Sequence, residues 1–316
     1  MAGQRFPPSK FLAWLSHPPV HDLLPNRFRP DSATANRECY HSGALDTSGQ
    51  YNQKNRKCWV ASEWPGERKP DHRRDFVLVL RCPMFVRPHF GINLVMRIGT
   101  WNLDNSPPKI KHRDLLLKQQ CEIWLLTEVN AEWFDTMGRK VLDFHAYRST
   151  GEMSPGQYYA AVLSTRDLTP IESPHFASAA AEIDGIVYCS SVLPWRKAHI
   201  DCEGWNGESQ TERTQIVLRE LLSNLPKRNL VWGGDWNHSF FGTEYAGSDD
   251  GRELVIAVVK MLGLRVATKE LLHRGDRCHA IDHIGVPSGW EVDSAIRIDA
   301  KGLSDHDVYV VEVSPL

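Results

Sequence analysis

The chain has 316 residues, 41% of them hydrophobic and 24% charged, and a formal net charge of −2. That length supports a sizeable core in one or two domains, and the near-neutral charge argues against a broad basic surface for tight, nonspecific duplex binding. No run of about 18 uncharged apolar residues is present, so no membrane-spanning helix is expected.

The N-terminal stretch "MAGQRFPPSK" lacks the continuous apolar core of a secretory signal, and a cytoplasmic location is expected. Residues 1–95 carry 14 Lys and Arg against 8 Asp and Glu, whereas the remainder carries 23 against 31. Residues 1–75 are rich in Pro, Asn, Ser, Arg and Asp without helical or strand period, and read as loop or disorder. The first strong apolar run, "FVLVLRCPMFV" at 76–86, is interrupted by Pro83. The expectation is a poorly structured extension over 1–95, from a start placed too far upstream or serving as a basic arm, followed by a domain over 96–316. The seven cysteines are scattered and never form Cys-x-x-Cys, so neither a disulfide framework nor a zinc site is indicated.

From Met96 the texture changes to short apolar runs separated by turn signals. Strands are predicted near 97–103, 122–127, 158–164, 186–193, 229–234, 281–286 and 307–313, and helices at 110–120, 211–224 and 251–262. Strands outnumber helices and do not alternate strictly with them, which favours α+β with packed sheets over a doubly wound parallel sheet.

The strand ends carry polar residues of the kind that metal and phosphate chemistry need. "GTWNLD" places Asn102 after a strand, and "EIWLLTEVN" holds Glu128. In "LVWGGDWN" the alternation of an extended chain turns Asp235 and Asn237 to one face and Trp236 to the other. "AIDHIGV" embeds Asp282 and His283 in an apolar strand, and "GLSDHDVYVVEV" presents Asp305 and His306 before the last one. By the same alternation His283 faces away from Asp282, and His238 away from Asn237, so both belong with packing. Trp101, Trp124, Trp232 and Trp236 also read as core.

The segments "TWNLD", "LLTEV", "GGDWN", "IDHI" and "LSDHD", in this order over residues 96–316, resemble the endonuclease/exonuclease/phosphatase superfamily, which includes exonuclease III and DNase I. The resemblance implies a four-layer α/β sandwich, two sheets face to face with helices outside. It also implies a phosphoesterase that uses Mg²⁺, or Mn²⁺ in its place, held by Glu128, Asn102 and Asp305. Asp235 would orient or deprotonate the attacking water, Asn237 would hold water or a phosphate oxygen, and His306, paired with Asp282, would contact the phosphate.

One departure concerns the segment where apurinic endonucleases carry Tyr-x-Pro-Asn. Here "SVLPWRK" keeps Pro194, but Val192 and Trp195 stand where Tyr and Asn would be. Arg196 is a candidate replacement contact to phosphate beside Trp195, or an arginine in a solvated loop. The expected substrate is a nucleic-acid phosphodiester. The rivals are a phosphatase or a small-molecule or lipid phosphodiesterase, favoured by the acidic balance, and a catalytically silent scaffold. A monomer is the default.

Overall fold

The structure, a computed structural model, describes residues 95–198, 204–274 and 278–315. The apolar run at 76–86 and the proposed extension before Val95 lie outside the described residues.

One sheet contains β1 (Met96–Asn102), β2 (Ile123–Asn130), β3 (Lys140–Val141), β4 (Phe144–Arg148), β5 (Glu152–Ser154), β6 (Gln157–Ser164), β15 (Glu291–Ile298) and β16 (Val308–Ser314). Its order is β15-β16-β1-β2-β6-β4-β3, with β5 also paired to β6. The second sheet contains β7 (Thr169–Ile171), β8 (Ser178–Ile183), β9 (Ile186–Ser191), β10 (Leu230–Asp235), β11 (Leu264–Val266) and β14 (Asp282–Pro287), in the order β11-β14-β10-β9-β8-β7. The pairs β1–β2 and β9–β10 are parallel and the other pairs antiparallel. A small hairpin joins β12 (Leu272–His273) to β13 (Cys278–His279).

The alternation along each strand builds the layers. Ile98, Ile123, Leu125, Val162 and Val311 of the first sheet pack with Ala179, Tyr188, Val231, Ile284 and Val286 of the second in the seam between them. The intervening residues Trp101, Trp124, Leu126, Leu163 and Val310 point to the outer face of the first sheet, where Leu116 of α1 (Ile110–Lys118) joins them. On the other side, Cys189, Leu230 and Trp232 meet Val217, Leu218 and Leu221 of α2 (Gln210–Asn224) and Val255, Val258 and Val259 of α3 (Asp249–Met261). The result is the predicted α+β sandwich of four layers. Local chemistry sets the helix starts: the Ser209 hydroxyl accepts from the Glu212 amide, and the Ser248 hydroxyl accepts from the Gly251 amide beside Asp249 and Asp250 in the first turn.

The seven predicted strands and three helices fall on observed elements, with ends shifted by a few residues. Among the described residues no helix is long and apolar enough to cross a membrane.

Candidate active site

Ile98 and Thr100 share a face of β1 with Asn102, and Val231 and Gly233 share a face of β10 with Asp235. Both faces look into the seam, so the polar residue that ends each strand arrives at the same end of it. The amide nitrogen of Asn102 donates to Asp235 Oδ2 at 3.1 Å and to Glu128 Oε1 at 2.9 Å, joining the two sheets through one carboxamide. By simple alternation Glu128 would follow Trp124 and Leu126 outward. Its backbone instead takes a left-handed φ of 50°, and its carboxylate reaches Asn102.

The two glycines of "GGDWN" have packing reasons. A Cβ on Gly233 would lie 2.5 Å from the His283 carbonyl oxygen, and one on Gly234, at φ 114°, would lie 2.3 Å from that of Ser191. Their absence of side chains lets β10 close between its neighbours and carry Asp235 directly opposite Asp282 of β14.

Two carboxylates facing each other across a ladder repel, and His306 is the compensating group. Its Nδ1 lies 2.7 Å from Asp282 Oδ2. The backbone that presents it is fixed at three points: the Ser304 hydroxyl donates to the Asn102 carbonyl and accepts from the His306 amide, and the Trp101 indole donates to the His306 carbonyl. Burial alone would lower the imidazolium pKa, but the Asp282 charge and hydrogen bond, with Asp235 and Asp305, outweigh it and hold the pKa well above 6.5. Burial first, and then Asp282, push the Asp235 carboxyl up, against the opposing pull of His306. Glu128 is raised by burial, which outweighs its bond from Asn102, and Asp104 and Asp305 raise it further.

These groups also indicate where a cation fits. Asp235, Asp282 and His306 bring potential ligand atoms within 4.8 Å of one another. Yet His306 Nδ1 and Asp282 Oδ2 are already bonded to each other, so this trio is better read as a charge relay of side chains than as a ligand set. Glu128 accepts from the side-chain amides of Asn102 and Asn105, and the charges of Asp104 and Asp305 disfavour its ionised form. A divalent cation held by these carboxylates would relieve that repulsion.

Of the remaining sequence candidates, Asp305 is exposed, with Oδ1 3.8 Å from His306 Nε2. Asn102 acts through its amide nitrogen as a bridge, while its Oδ1 accepts from the Asp104 amide. Asn237 does not share the strand face of Asp235, because β10 ends at Asp235 and Asn237 adopts φ 51°. It lies in a turn in which its own amide donates to Asp235 Oδ1 and its side chain to the Leu193 carbonyl. Arg196 donates through Nε to the Gly247 carbonyl at 2.7 Å and through a terminal nitrogen to that of Glu244 at 2.9 Å, so its fork is engaged with a loop. Trp195 packs edge-on against Trp205. His283 is buried between Thr268 and the His238 carbonyl, and burial lowers its pKa to about 4. His238 is buried against the Trp236 carbonyl and Gln210, and the four tryptophans named above are fully buried.

Sequence reasoning passed over four contributors. Asn105 donates to Glu128 Oε2 at 3.2 Å, Asp104 stands among the site's charges, Ser304 sets the His306 backbone, and the His273 ring packs 5.3 Å from that of His306. Asp104 and Ser304 lie inside the quoted motifs; Asn105 and His273 carry no local signal.

The Endonuclease/Exonuclease/phosphatase family model matches residues 99–306. No curated protein matches the chain. Among solved structures, the endonuclease domain of TRAS1, a telomere-specific non-LTR retrotransposon, is similar at 18% identity with a TM-score of 0.46, covering 70% of this chain and 98% of its own. A family protein from Leptotrichia buccalis C-1013-b is similar at 14% identity and TM-score 0.48, covering 70% of this chain and 100% of its own. Another from Beutenbergia cavernae DSM 12333 has 14% identity and TM-score 0.47, covering 70% of this chain and 71% of its own.

Proposed function

The chain belongs to the endonuclease/exonuclease/phosphatase family, and on that premise we propose that it is a Mg²⁺-dependent phosphodiesterase acting on nucleic acid. The observation that carries the reading is the continuous relay from Glu128 through Asn102 to Asp235, facing Asp282 and its partner His306.

Glu128 and Asp305, with the carboxamide oxygen of Asn102, would hold Mg²⁺ or Mn²⁺, whose chemistry when bound is neutralisation of phosphate charge. Asp235 takes the proton of the attacking water while the new oxygen–phosphorus bond forms and the bond to the leaving oxygen breaks. Its raised pKa makes it a stronger base than an ordinary carboxylate. The Asn237 amide, bonded to Asp235 Oδ1, orients the other oxygen for that transfer. His306, kept protonated by Asp282, directs its Nε2 at a non-bridging phosphate oxygen and stabilises the charge that develops there.

The test is hydrolysis of bis-p-nitrophenyl phosphate against p-nitrophenyl phosphate, each with Mg²⁺ and with EDTA. Preferential, EDTA-sensitive cleavage of the diester supports the reading. Preference for the monoester makes the protein a phosphatase, full activity in EDTA removes the metal, and no activity on either leaves a binding scaffold.

A further inference from the structure

With the Arg196 fork engaged by a loop, a guanidinium free to meet a phosphate is to be sought elsewhere. The hairpin β12–β13 supplies one. Its base is anchored on two sides, by the Tyr309 hydroxyl, which donates to the Leu272 carbonyl at 3.2 Å, and by the Tyr245 hydroxyl, which donates to that of His279 at 3.0 Å. His273, with Nδ1 3.1 Å from the Tyr309 hydroxyl, lays its ring against His306. The next residue, Arg274, is exposed and held in left-handed backbone at φ 38° by the buried Asp307, whose Oδ2 accepts from the Arg274 amide at 3.0 Å.

Two consecutive residues of the hairpin are thus clamped to two consecutive residues at the site, His273 to His306 and Arg274 to Asp307. The Asp307 charge is met by Arg297 Nε at 3.8 Å rather than by the Arg274 side chain. The Arg274 guanidinium makes no hydrogen bond or ion pair to any described residue. The residue nevertheless stands beside the site, because its backbone amide is held by Asp307, the residue after His306, and the preceding His273 ring packs against His306. A guanidinium with no ion pair to a described residue, on left-handed backbone beside His306 and Asp307, is placed to meet an anion.

We propose that Arg274 is a specificity-determining residue that binds a phosphate adjacent to the scissile one, and so selects polynucleotides over isolated phosphate esters. The inference rests on the phosphodiesterase reading above and adds a second anion position to it. Because the reacting phosphate is taken by His306, a substrate with one phosphate leaves Arg274 without a partner.

The experiment compares the full chain with Arg274→Gly, which keeps the positive φ without strain, with Arg274→Lys, and with Arg228→Ala, an exposed charge control between α2 and β10. Two readouts are taken: kcat/KM on a short DNA duplex and on bis-p-nitrophenyl phosphate, and fluorescence anisotropy of the labelled duplex in EDTA. Arg274→Gly is expected to lower kcat/KM on DNA about tenfold more than on the small diester, to weaken duplex binding about tenfold, and to reduce the salt slope of binding by about one. Arg274→Lys recovers part of the loss, because it keeps the charge without the fork. Equal effects on both diesters, unchanged duplex affinity, or the same loss in Arg228→Ala would each overturn the proposal. If the unaltered chain hydrolyses neither diester, the phosphodiesterase reading fails, while binding in EDTA still decides the role of Arg274.

Discussion

Asp282→Asn is the most informative single change, because Asp282 acts on two groups at once. Its side chain is fully buried, sits directly opposite Asp235 across the ladder and bonds His306 at 2.7 Å. Directly opposed residues lie roughly 5 Å apart. At an effective dielectric constant of about 20, two charges at that separation interact by about 3 kcal/mol, or about two pH units. Asp282 raises Asp235 by like-charge repulsion and raises His306 by attraction, so removing its charge lowers both pKa values. Asp235 must be deprotonated to accept a proton and His306 must be protonated to stabilise the phosphate. The acid limb of the kcat profile reports the first and the basic limb the second. Both limbs are therefore expected to move toward acid, the acid limb by about two pH units, with kcat at pH 8 falling and much of it returning at lower pH. Steady-state kinetics across pH, with NMR titration of the His306 ring, measure this directly. A uniform loss of kcat with neither limb displaced would refute the reasoning, since Asp282 would then not govern either ionisation.

Glu128→Gln is expected to raise the Mg²⁺ concentration for half-maximal activity at least tenfold while Tm stays within a few degrees, because burial already disfavours the ionised Glu128; a metal titration with calorimetry checks both. Arg196→Ala removes two hydrogen bonds to the 244–247 loop, together worth about 2 kcal/mol, and should lower Tm by about 4–8 °C, with a far smaller effect on kcat/KM than Arg274→Gly. A chain beginning at Met96, the first residue of β1 and paired with Val313, is expected to unfold cooperatively with a Tm within a few degrees of the full chain; a broad or absent transition would show that preceding residues complete the fold.

The strands of the sandwich core were legible because their apolar runs are long and end in turn residues. β8 and β15 were not. The sequence of β8, "SAAAEI", lacks the β-branched signature, and β15, "EVDSAIRI", is an edge strand whose mixed pattern reflects partial burial on both faces. The residues of the candidate site were readable as types at strand ends, but their orientations were not. Alternation predicts a side chain's direction only while the backbone stays extended, and Glu128 and Asn237 both leave that region. Arg196, a candidate phosphate contact in the sequence, and Arg274, which the sequence did not single out, differ in a related way. Local sequence gives the position of a guanidinium along the chain, whereas its freedom to meet a ligand depends on whether distant carbonyls, here those of Glu244 and Gly247, already hold it.

The bridge from Asn102 to Asp235 spans the two sheets, and this has a mechanical consequence. Leu125, Val231 and Ile284, which separate the sheets, act as shims that set the span of that bridge. A substitution there that shifts one sheet by a fraction of an ångström stretches a 3.1 Å contact at the far end of the seam. Activity should therefore register wear in the core sooner than thermal stability does, and a restoring change is to be sought on the facing sheet, against the altered side chain, rather than among the residues of the site.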